Sequence, residues 1–440
     1  MNRSFSQFFN SPSLAAVPAS SYKPRSRLLN AVVSIWRPYQ YLVSSALLII
    51  LILQVHYSLG FGSSSSITLQ QVTSLYPNAF GGNHTSGFII TPPPSMNVRD
   101  MYTIESRLHH FFPYDSKADI ENNIWQLWVY RSDDKRFPSK CFPHIERWRI
   151  VNDNYNHNLI STSEAEILVK DYFSSEVPEV AEALAKMPDN RLKFEFLKYL
   201  VIYISGGLYS DIDTICTKPL KYWHESQLIP TRLFLGISID YNDENWKLLY
   251  NRRLLISNKL FRAKSHHPFL AKLIARITYM TLNQLSVIES IDWNRAFQNL
   301  DSNGEPLIQF TGESIFTDTL FEYLNSLEDP VIYRVARSDR DILPQKIVGP
   351  EVPRSEKINY RLFTQTVGPT QVDDVVVMPE VTFRGSSELE MHDDPSNMLN
   401  NDGTKKNGLE VEYDDENQRK GYARFYYARP LNLLTWDDKK

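Results

Sequence analysis

The sequence is poor in cysteine and carries no excess of positive charge. Its 440 residues include two cysteines, Cys141 and Cys216, which can form at most one bridge, so a disulfide-based scaffold is excluded and the redox compartment is left open. The formal net charge of −4 gives no reason to expect a nucleic-acid partner. Hydrophobic residues at 42% and charged residues at 22% are instead typical of a folded globular chain.

Charge is also missing from a long stretch near the amino terminus. No aspartate or glutamate precedes Asp100, and no lysine or arginine lies between Arg37 and Arg99. The apolar run Tyr41–Val55 falls inside this stretch, and no run of comparable length follows it. Because positive charges flank the run only on its amino-terminal side, the pattern predicts a cytoplasmic amino terminus and a lumenal remainder.

The apolar run predicts one membrane anchor. We expect residues 1–37 to form a cytoplasmic tail and residues 38–57 a transmembrane helix, since about 20 residues span a bilayer. A cleaved signal peptide is one alternative, but such peptides total about 15–30 residues, and here the run starts only at Tyr41. A buried core helix is the other, and the proline, serine and glycine around the run argue against it.

Residues 58–110 are predicted to form a flexible stem. They are rich in Ser, Gly, Thr and Pro, as in Ser63–Ser66 and Pro92–Pro94, and such a stretch buries too little apolar surface to fold. Asn83 begins an Asn-His-Thr tripeptide, which is a glycosylation acceptor in a lumenal segment. A tail, anchor, stem and lumenal domain together are typical of Golgi enzymes, although tethered receptors share this layout.

Regular patterning begins near Phe111, and we expect one lumenal α/β domain over residues 111–440. The elements predicted at its start are strands over Asn123–Tyr130 and Tyr155–Ile160 and helices over Glu164–Tyr172 and Val177–Lys186. The stretch around 385–420 has little apolar content, which predicts an exposed polar insertion.

A helix and its termination signal follow these elements. Asp189 or Asn190 can cap a helix over Arg191–Ile204, because both side chains accept hydrogen bonds from free backbone amides. Gly206–Gly207 would end this helix, since glycine adopts the left-handed backbone conformation without strain.

The strand after the two glycines carries the candidate chemistry. Leu208–Asp211 reads as a strand that delivers Asp211 and Asp213 at its carboxyl end, where ligands of open α/β sheets bind. Two carboxylates two residues apart can hold one divalent cation together with substrate phosphates, so both are candidate metal ligands and catalytic residues. An Asp-x-Asp alone is a weak signal; its position after a helix, two glycines and an aromatic residue strengthens it.

Polar side chains form a stripe along the predicted helix. Arg191, Glu195, Lys198 and Ile202 recur at helical spacing on one face, and most other positions are apolar. A solvated stripe is the usual explanation. The neighbouring Asp-x-Asp strand favours the alternative, in which Glu195 and Lys198 point into a donor cleft.

These residues resemble the signature of the fungal initiation-type α-1,6-mannosyltransferases, which are Golgi enzymes with an Asp-x-Asp motif. The similar blocks, which span most of Phe111–Pro379, are Phe112–Ser116, Ile124–Trp128, Leu192–Leu200, Gly206–Thr214, His267–Pro268, Thr311–Gly312 with Phe316–Asp318, and Val375–Pro379. More distantly, the same region resembles glucosylating bacterial toxins.

The resemblance implies a GT-A-like fold, with a mixed central sheet flanked by helices, and transfer with retention of the anomeric configuration. It also implies roles for individual residues. Trp125 would stack on the nucleobase, Glu195 and Lys198 would contact the donor sugar, Asp211 would contact the ribose or sugar, and Asp213 would bind Mn²⁺ or another divalent cation. The implied donor-binding set is completed by Gly207, Tyr209, Thr311 and Gly312.

The sequence departs from the family pattern at four places. Glu195 stands where the family has aspartate, and His266 where it has glycine. Glu313–Ser314 replaces a pair of small residues, and a glutamate there would repel a diphosphate unless it faced away. Arg429 occupies the region where the family carries a histidine. A divergent paralogue is the expectation.

The resemblance implies that GDP-mannose is the donor and a mannose-containing glycan the acceptor, with α-1,6 extension of N-glycan outer chains at the Golgi membrane. Other subunits of a mannosyltransferase complex are expected partners, and nucleic acid is not. Two alternatives stay open: a non-catalytic or weakly active subunit of such a complex, and a sphingolipid mannosyltransferase. The second fits less well, because those relatives carry further membrane spans and no apolar run follows Val55.

Overall fold

The computed structural model of the protein describes residues 98–223, 230–307, 310–334, 357–366, 368–384 and 425–440. The predicted tail, anchor, glycosylation acceptor Asn83 and polar insertion lie outside these residues. None of the helices within them has the length and apolar character that crossing a membrane requires.

The chain forms a mixed α/β fold around a central sheet. The described strands are β1 (Asn123–Trp128), β2 (Asn156–Ser161), β3 (Gly207–Ser210), β4 (Thr214–Cys216), β5 (Leu233–Asp240), β6 (Leu254–Ile256), β7 (Leu260–Ala263), β8 (Ile332–Arg334), β9 (Thr370–Val372), β10 (Val375–Met378) and β11 (Ala428–Pro430). Nine of them form a sheet in the order β2-β1-β3-β7-β5-β10-β9-β8, with β6 beside β5, and β11 pairs separately with β4.

Helices cover this sheet. The described α-helices are α1 (Val98–Phe111), α2 (Phe142–Val151), α3 (Thr162–Phe173), α4 (Pro178–Lys186), α5 (Asn190–Ser205), α6 (Trp246–Leu249), α7 (Pro268–Asn283), α8 (Leu285–Ser290), α9 (Trp293–Ala296), α10 (Glu313–Leu324) and α11 (Val381–Arg384). Short 3₁₀ turns lie at Ser139–Cys141, Leu220–Tyr222, Tyr360–Leu362 and Trp436–Lys439.

The strand directions determine where the functional edge lies. β1 is parallel to both β2 and β3, and β10 is parallel to β5. β7 lies antiparallel between β3 and β5, so β3 and β5 run in the same direction. The carboxyl ends of β2, β1, β3, β5 and β10 therefore meet at one edge, and Asp211 follows β3 there.

The two glycines after α5 are required by both conformation and space. Gly206 and Gly207 have φ values of +60° and +104°, where a side chain causes strain. A Cβ on Gly207 would lie 2.4 Å from the Asn123 carbonyl oxygen, and one on Gly206 would lie 2.8 Å from the Ser265 backbone nitrogen. The prediction that Gly206–Gly207 end the helix is confirmed, and the strand begins at Gly207, one residue before the predicted Leu208.

The helix that starts at Val98 shortens the predicted stem. The stem was expected to extend to residue 110, but Val98–Phe111 is helical and packs on α7, with Ile104 and Leu108 buried in the core. This helix has a short amphipathic pattern that directly follows the Ser- and Pro-rich stretch, so the pattern does not stand out in the sequence.

Cys141 and Cys216 are both buried free thiols, so they do not form a disulfide with each other.

Candidate active site

The Asp-x-Asp motif lies in a buried turn at the end of β3. The Asp211 backbone nitrogen donates to the Lys259 carbonyl at 2.8 Å, and the Thr214 hydroxyl donates to the Asp211 carbonyl at 2.7 Å. These bonds fix the turn and hold both carboxylates at the sheet edge. Asp211 is 5% exposed and Asp213 9% exposed, so both are almost removed from bulk water.

Lys198 connects α5 to the motif. Its ammonium lies 2.9 Å from Glu195 Oε1 and 3.1 Å from Asp211 Oδ1, and the side chain is 1% exposed. Tyr209 donates its hydroxyl to the same Asp211 oxygen at 2.7 Å. Burial alone would lower the pKa of Lys198, but Asp211 and Glu195 outweigh it and the pKa is raised. Lys198 therefore stays charged within this cluster.

The two aspartates differ in their electrostatics. Burial alone would raise the pKa of Asp211, yet Lys198 and then Lys439 lower it below its ordinary value. The pKa of Asp213 is raised, first by burial and then by the charge of Asp211. Lys439 and Lys259 act on both aspartates, so the two differ mainly in that Lys198 lies against Asp211.

Glu195 belongs to the same cluster. It is 2% exposed, and one carboxylate oxygen accepts a hydrogen bond from the Asn258 amide at 2.7 Å. Its other oxygen faces Lys198 and also lies 3.5 Å from the Lys439 ammonium. The polar stripe on α5 is therefore buried at the motif, and the solvated alternative is wrong for Glu195 and Lys198.

Asn258 links Glu195 to the segment that precedes α10. Its amide also contacts the Tyr199 hydroxyl at 2.8 Å, and that hydroxyl donates to the Thr311 carbonyl at 2.7 Å. Gly312 follows as the N-cap of α10. Thr311 is thus joined to the cluster through its backbone. No sequence pattern indicates Asn258, since it lies in the loop between β6 and β7, far along the chain from the motif.

Glu313 faces the interior beside a second, partly buried ion pair. The Lys259 ammonium lies 2.9 Å from Glu305 Oε1, and Ser238 donates its hydroxyl to Glu313 at 3.0 Å. Burial, and then the nearby Glu305, raise the pKa of Glu313 to about 8. A carboxyl with that pKa is largely uncharged at neutral pH, so the expected repulsion of a diphosphate is weakened.

The structure places Trp125 apart from the carboxylate cluster. Its indole N–H donates to the Gly206 carbonyl at 3.1 Å, at the amino-terminal start of β3. It lines a cavity of about 710 Å³ at the amino-terminal ends of β1 and β2, together with Tyr155 and Asn158. That end of the strands is opposite the edge that carries Asp211, although the Trp125 backbone pairs with Tyr209 of β3.

Trp128 lies at the functional end of the same strand. It is the last residue of β1, and its ring meets the ring of Phe194, the neighbour of Glu195, at a centroid distance of 6.0 Å. Its buried indole N–H has no hydrogen-bond partner among the described residues. Unlike Trp125, Trp128 lies at the carboxyl end of a parallel strand, the end at which ligands of such sheets bind.

Two departures from the family pattern remain, at His266 and Arg429. His266 has φ of +60°, a conformation that favours glycine, and its ring contacts the Tyr172 hydroxyl at 2.7 Å. The glycine that the family resemblance implies here would fit that backbone. Arg429 lies on β11 opposite Ile215 of β4. Among the described residues, the ion pairs of this cluster come from Lys198 and Lys439 and not from Arg429.

The chemistry of the motif fits a hard divalent cation. Among the described residues no group of three or more His, Cys, Asp or Glu side chains could hold a metal ion, and Asp211 and Asp213 are a pair of carboxylates. One or two carboxylates with substrate phosphates and water form the usual Mg²⁺-type site.

Sequence comparisons agree with this site. The family described as "Glycosyltransferase sugar-binding region containing DXD motif" matches residues 138–232, which include Asp211 and Asp213. The initiation-specific alpha-1,6-mannosyltransferase of Candida albicans is 31% identical over 305 residues, covering 68% of this chain and 74% of that protein. The Saccharomyces cerevisiae protein of the same name is 27% identical and covers 64% and 76% of the two chains.

Two further matches are another yeast glycosyltransferase and a solved structure. The putative glycosyltransferase HOC1 of Saccharomyces cerevisiae is 29% identical over 312 residues, covering 69% of this chain and 67% of that protein. Among solved structures, the catalytic domain of alpha-toxin from Clostridium novyi matches with 9% identity and a TM-score of 0.26, covering 50% and 75% of the two chains.

Proposed function

We propose that this chain, which belongs to the family of the initiation-specific alpha-1,6-mannosyltransferases and is a glycosyltransferase, transfers mannose from GDP-mannose to a mannose-containing glycan. The product is an α-1,6-linked mannose of an N-glycan outer chain, formed with retention of the anomeric configuration. The observation that carries the proposal is the buried cluster in which Lys198 joins Glu195 to Asp211, next to Asp213.

The cluster supports the binding of a nucleotide-sugar. Asp213, assisted by Asp211, would hold Mn²⁺ or another divalent cation, which neutralises charge developing on the departing diphosphate. Lys198 and Tyr209 fix the orientation of Asp211 before any ligand arrives. Glu195, held by Asn258, presents a carboxylate to a hydroxyl of the donor sugar. Such preorganised charges are a major source of catalysis.

The direct experiment is a donor survey with the purified full-length chain. It would be incubated with Mn²⁺, an α-mannoside oligosaccharide and one of GDP-mannose, GDP-fucose, UDP-glucose or UDP-galactose. We expect transfer only from GDP-mannose, and NMR of the product should show an α-1,6 linkage. Transfer from a uridine donor, or no turnover with any donor across acceptors, would contradict the proposal. The second result is what a non-catalytic subunit predicts.

We further propose that the protein is a single-pass Golgi membrane protein with a cytoplasmic amino terminus and a lumenal catalytic domain. The proposal rests on the charge asymmetry around Tyr41–Val55. Protease added to sealed membranes should leave everything after Tyr57 intact and should digest it once detergent is added. Digestion of the catalytic domain in sealed membranes would overturn the topology.

A further inference from the structure

The last part of the chain folds over the Asp-x-Asp motif. We call residues 425–440 the strap. β11 in the strap pairs with β4, and the Leu431 amide donates to the Asp213 carbonyl at 2.8 Å. The Leu433 and Leu434 amides donate to one carboxylate oxygen of Asp213, at 3.1 and 3.3 Å. These bonds place the strap directly against the proposed donor site.

The strap delivers a lysine into the carboxylate cluster. Lys439, in the 3₁₀ turn Trp436–Lys439, is 9% exposed, and its ammonium lies 3.5 Å from Glu195 Oε1. The ammonium also lies 4.9 Å from the ring centre of Phe194 and 4.5 Å from that of Trp436. The Trp436 indole N–H in turn donates to the Gly304 carbonyl at 3.0 Å, which anchors the turn.

Lys439 differs from the other two lysines of the site in how well it is paired. Lys198 contacts carboxylate oxygens at 2.9 and 3.1 Å, and Lys259 contacts Glu305 at 2.9 Å. The 3.5 Å approach to Glu195 is the only ion pair of Lys439 among the described residues, and Glu195 is already paired with Lys198. An ammonium has three donor hydrogens, so Lys439 retains hydrogen-bonding capacity that an anion can use.

We propose that Lys439 is a donor-binding residue whose ammonium contacts the diphosphate of the nucleotide-sugar. A compact cation suits a phosphate, whereas a neutral sugar or base gains little from it. The diphosphate must lie close to Asp213 if a cation bridges the two, and Lys439 is held on the segment bonded to Asp213. This inference rests on the proposed function only in taking the motif as the donor site.

The test compares ligands with and without phosphate. Binding of GDP, UDP and guanosine to the full-length chain would be measured by calorimetry with Mn²⁺ present, for the parent, Lys439→Met, Lys439→Arg and Lys440→Met. Lys440 is the adjacent, exposed lysine and serves as the matched control. We expect Lys439→Met to weaken diphosphate binding on the order of tenfold to a hundredfold, as for hydrogen bonds to charged groups. Guanosine binding should not change, and Lys439→Arg should retain most of the affinity.

The outcomes separate this inference from the proposed function. Weakened UDP binding in Lys439→Met, in a parent that prefers UDP to GDP, would support the role of Lys439 and contradict GDP-mannose as the donor. Unchanged GDP binding in a folded Lys439→Met protein would overturn the role of Lys439 and leave the donor in place. An equal loss for guanosine and GDP would also overturn it, because a merely structural lysine affects both. If Lys439→Met does not fold, Lys439→Gln against Lys439→Arg makes the same comparison.

Discussion

The ammonium of Lys198 lies 3.1 Å from the Oδ1 atom of Asp211, and this pair joins the middle of α5 to the turn that carries the Asp-x-Asp motif. Both side chains are buried, so the pair is shielded from water and salt. A substitution on the helix at Lys198 should therefore affect the motif, and a substitution in the motif should affect the helix.

Lys198→Met should destabilise the protein strongly. The substitution keeps the volume of the side chain but leaves Glu195 and Asp211 as buried carboxylates without their main partner. Breaking a buried pair by removing one member costs about 3–5 kcal/mol in unfolding free energy. Lys193→Met, on the same helix but partly exposed, should change it by less than about 0.5 kcal/mol. Equal urea midpoints for the two variants would show that the pair contributes nothing.

Tyr209→Phe should impair the site while preserving the core. The substitution removes only the hydroxyl that donates to Asp211 at 2.7 Å, and the ring stays packed against Phe261. A hydrogen bond to a charged group contributes about 1.5–3 kcal/mol, so kcat/KM should fall by roughly that free energy. Tyr250→Phe, whose ring packs on Tyr241, is the control and should match the parent. If kcat/KM of Tyr209→Phe equals that of the parent, the Tyr209 hydroxyl is not needed to orient Asp211.

Glu195→Asp should lower activity, although the family resemblance implies aspartate at this position. Glu195 reaches Asn258 at 2.7 Å and Lys198 at 2.9 Å with its full length, so a side chain one methylene shorter cannot keep both contacts. We expect a loss of about 1–3 kcal/mol in transition-state stabilisation, measured as kcat/KM. Higher activity for Glu195→Asp would instead show that glutamate at this position weakens the enzyme relative to aspartate.

Glu313 should make stability depend on pH. Its carboxyl has a pKa of about 8 in the folded protein, among Glu305, Lys259 and Asp301, against an ordinary value of 4.5. Because the folded state holds this proton more tightly, its contribution is fully present below about pH 4.5 and is lost as the pH rises through 8. The slope is at most about 1.4 kcal/mol per pH unit.

Glu313→Gln removes this titration. Relative to the parent, the variant should gain stability as the pH rises from 5 to 9, as measured by thermal unfolding across that range. Glu328→Gln changes an exposed glutamate and should follow the parent at every pH. A constant difference between Glu313→Gln and the parent would show that Glu313 is charged throughout.

The parts of the site that follow from local sequence were predictable. The helix predicted over Arg191–Ile204 forms over Asn190–Ser205, and the strand predicted from Leu208 begins at Gly207. Helix capping, the backbone conformation of glycine and the spacing of apolar residues each depend on a few neighbouring residues, so they can be read from the local sequence. The placement of Asp211 and Asp213 at a strand end follows from the same signals.

The parts that depend on long-range packing were not predictable. Asn258 and Lys439 reach Glu195 from loops 63 and 244 residues further along the chain, and no periodicity reports such contacts. Trp125 and Trp128 share one strand, and only the sheet topology reveals that Trp128 lies at the functional edge. The burial of Glu313 likewise depends on Ser238 and Glu305, which lie on other elements.

The most direct test of the account is metal-dependent mannosyl transfer by Asp213→Asn. The asparagine keeps an oxygen that can accept the Leu433 and Leu434 amides, so the strap stays in place while the charge is lost. With GDP-mannose, Mn²⁺ and a mannoside acceptor, kcat should fall roughly 10²–10³-fold, and chelation should abolish parental turnover until Mn²⁺ is restored. The control Asp153→Asn, at an exposed position, should match the parent. Parental turnover by Asp213→Asn, or turnover that survives exhaustive chelation, would contradict the account.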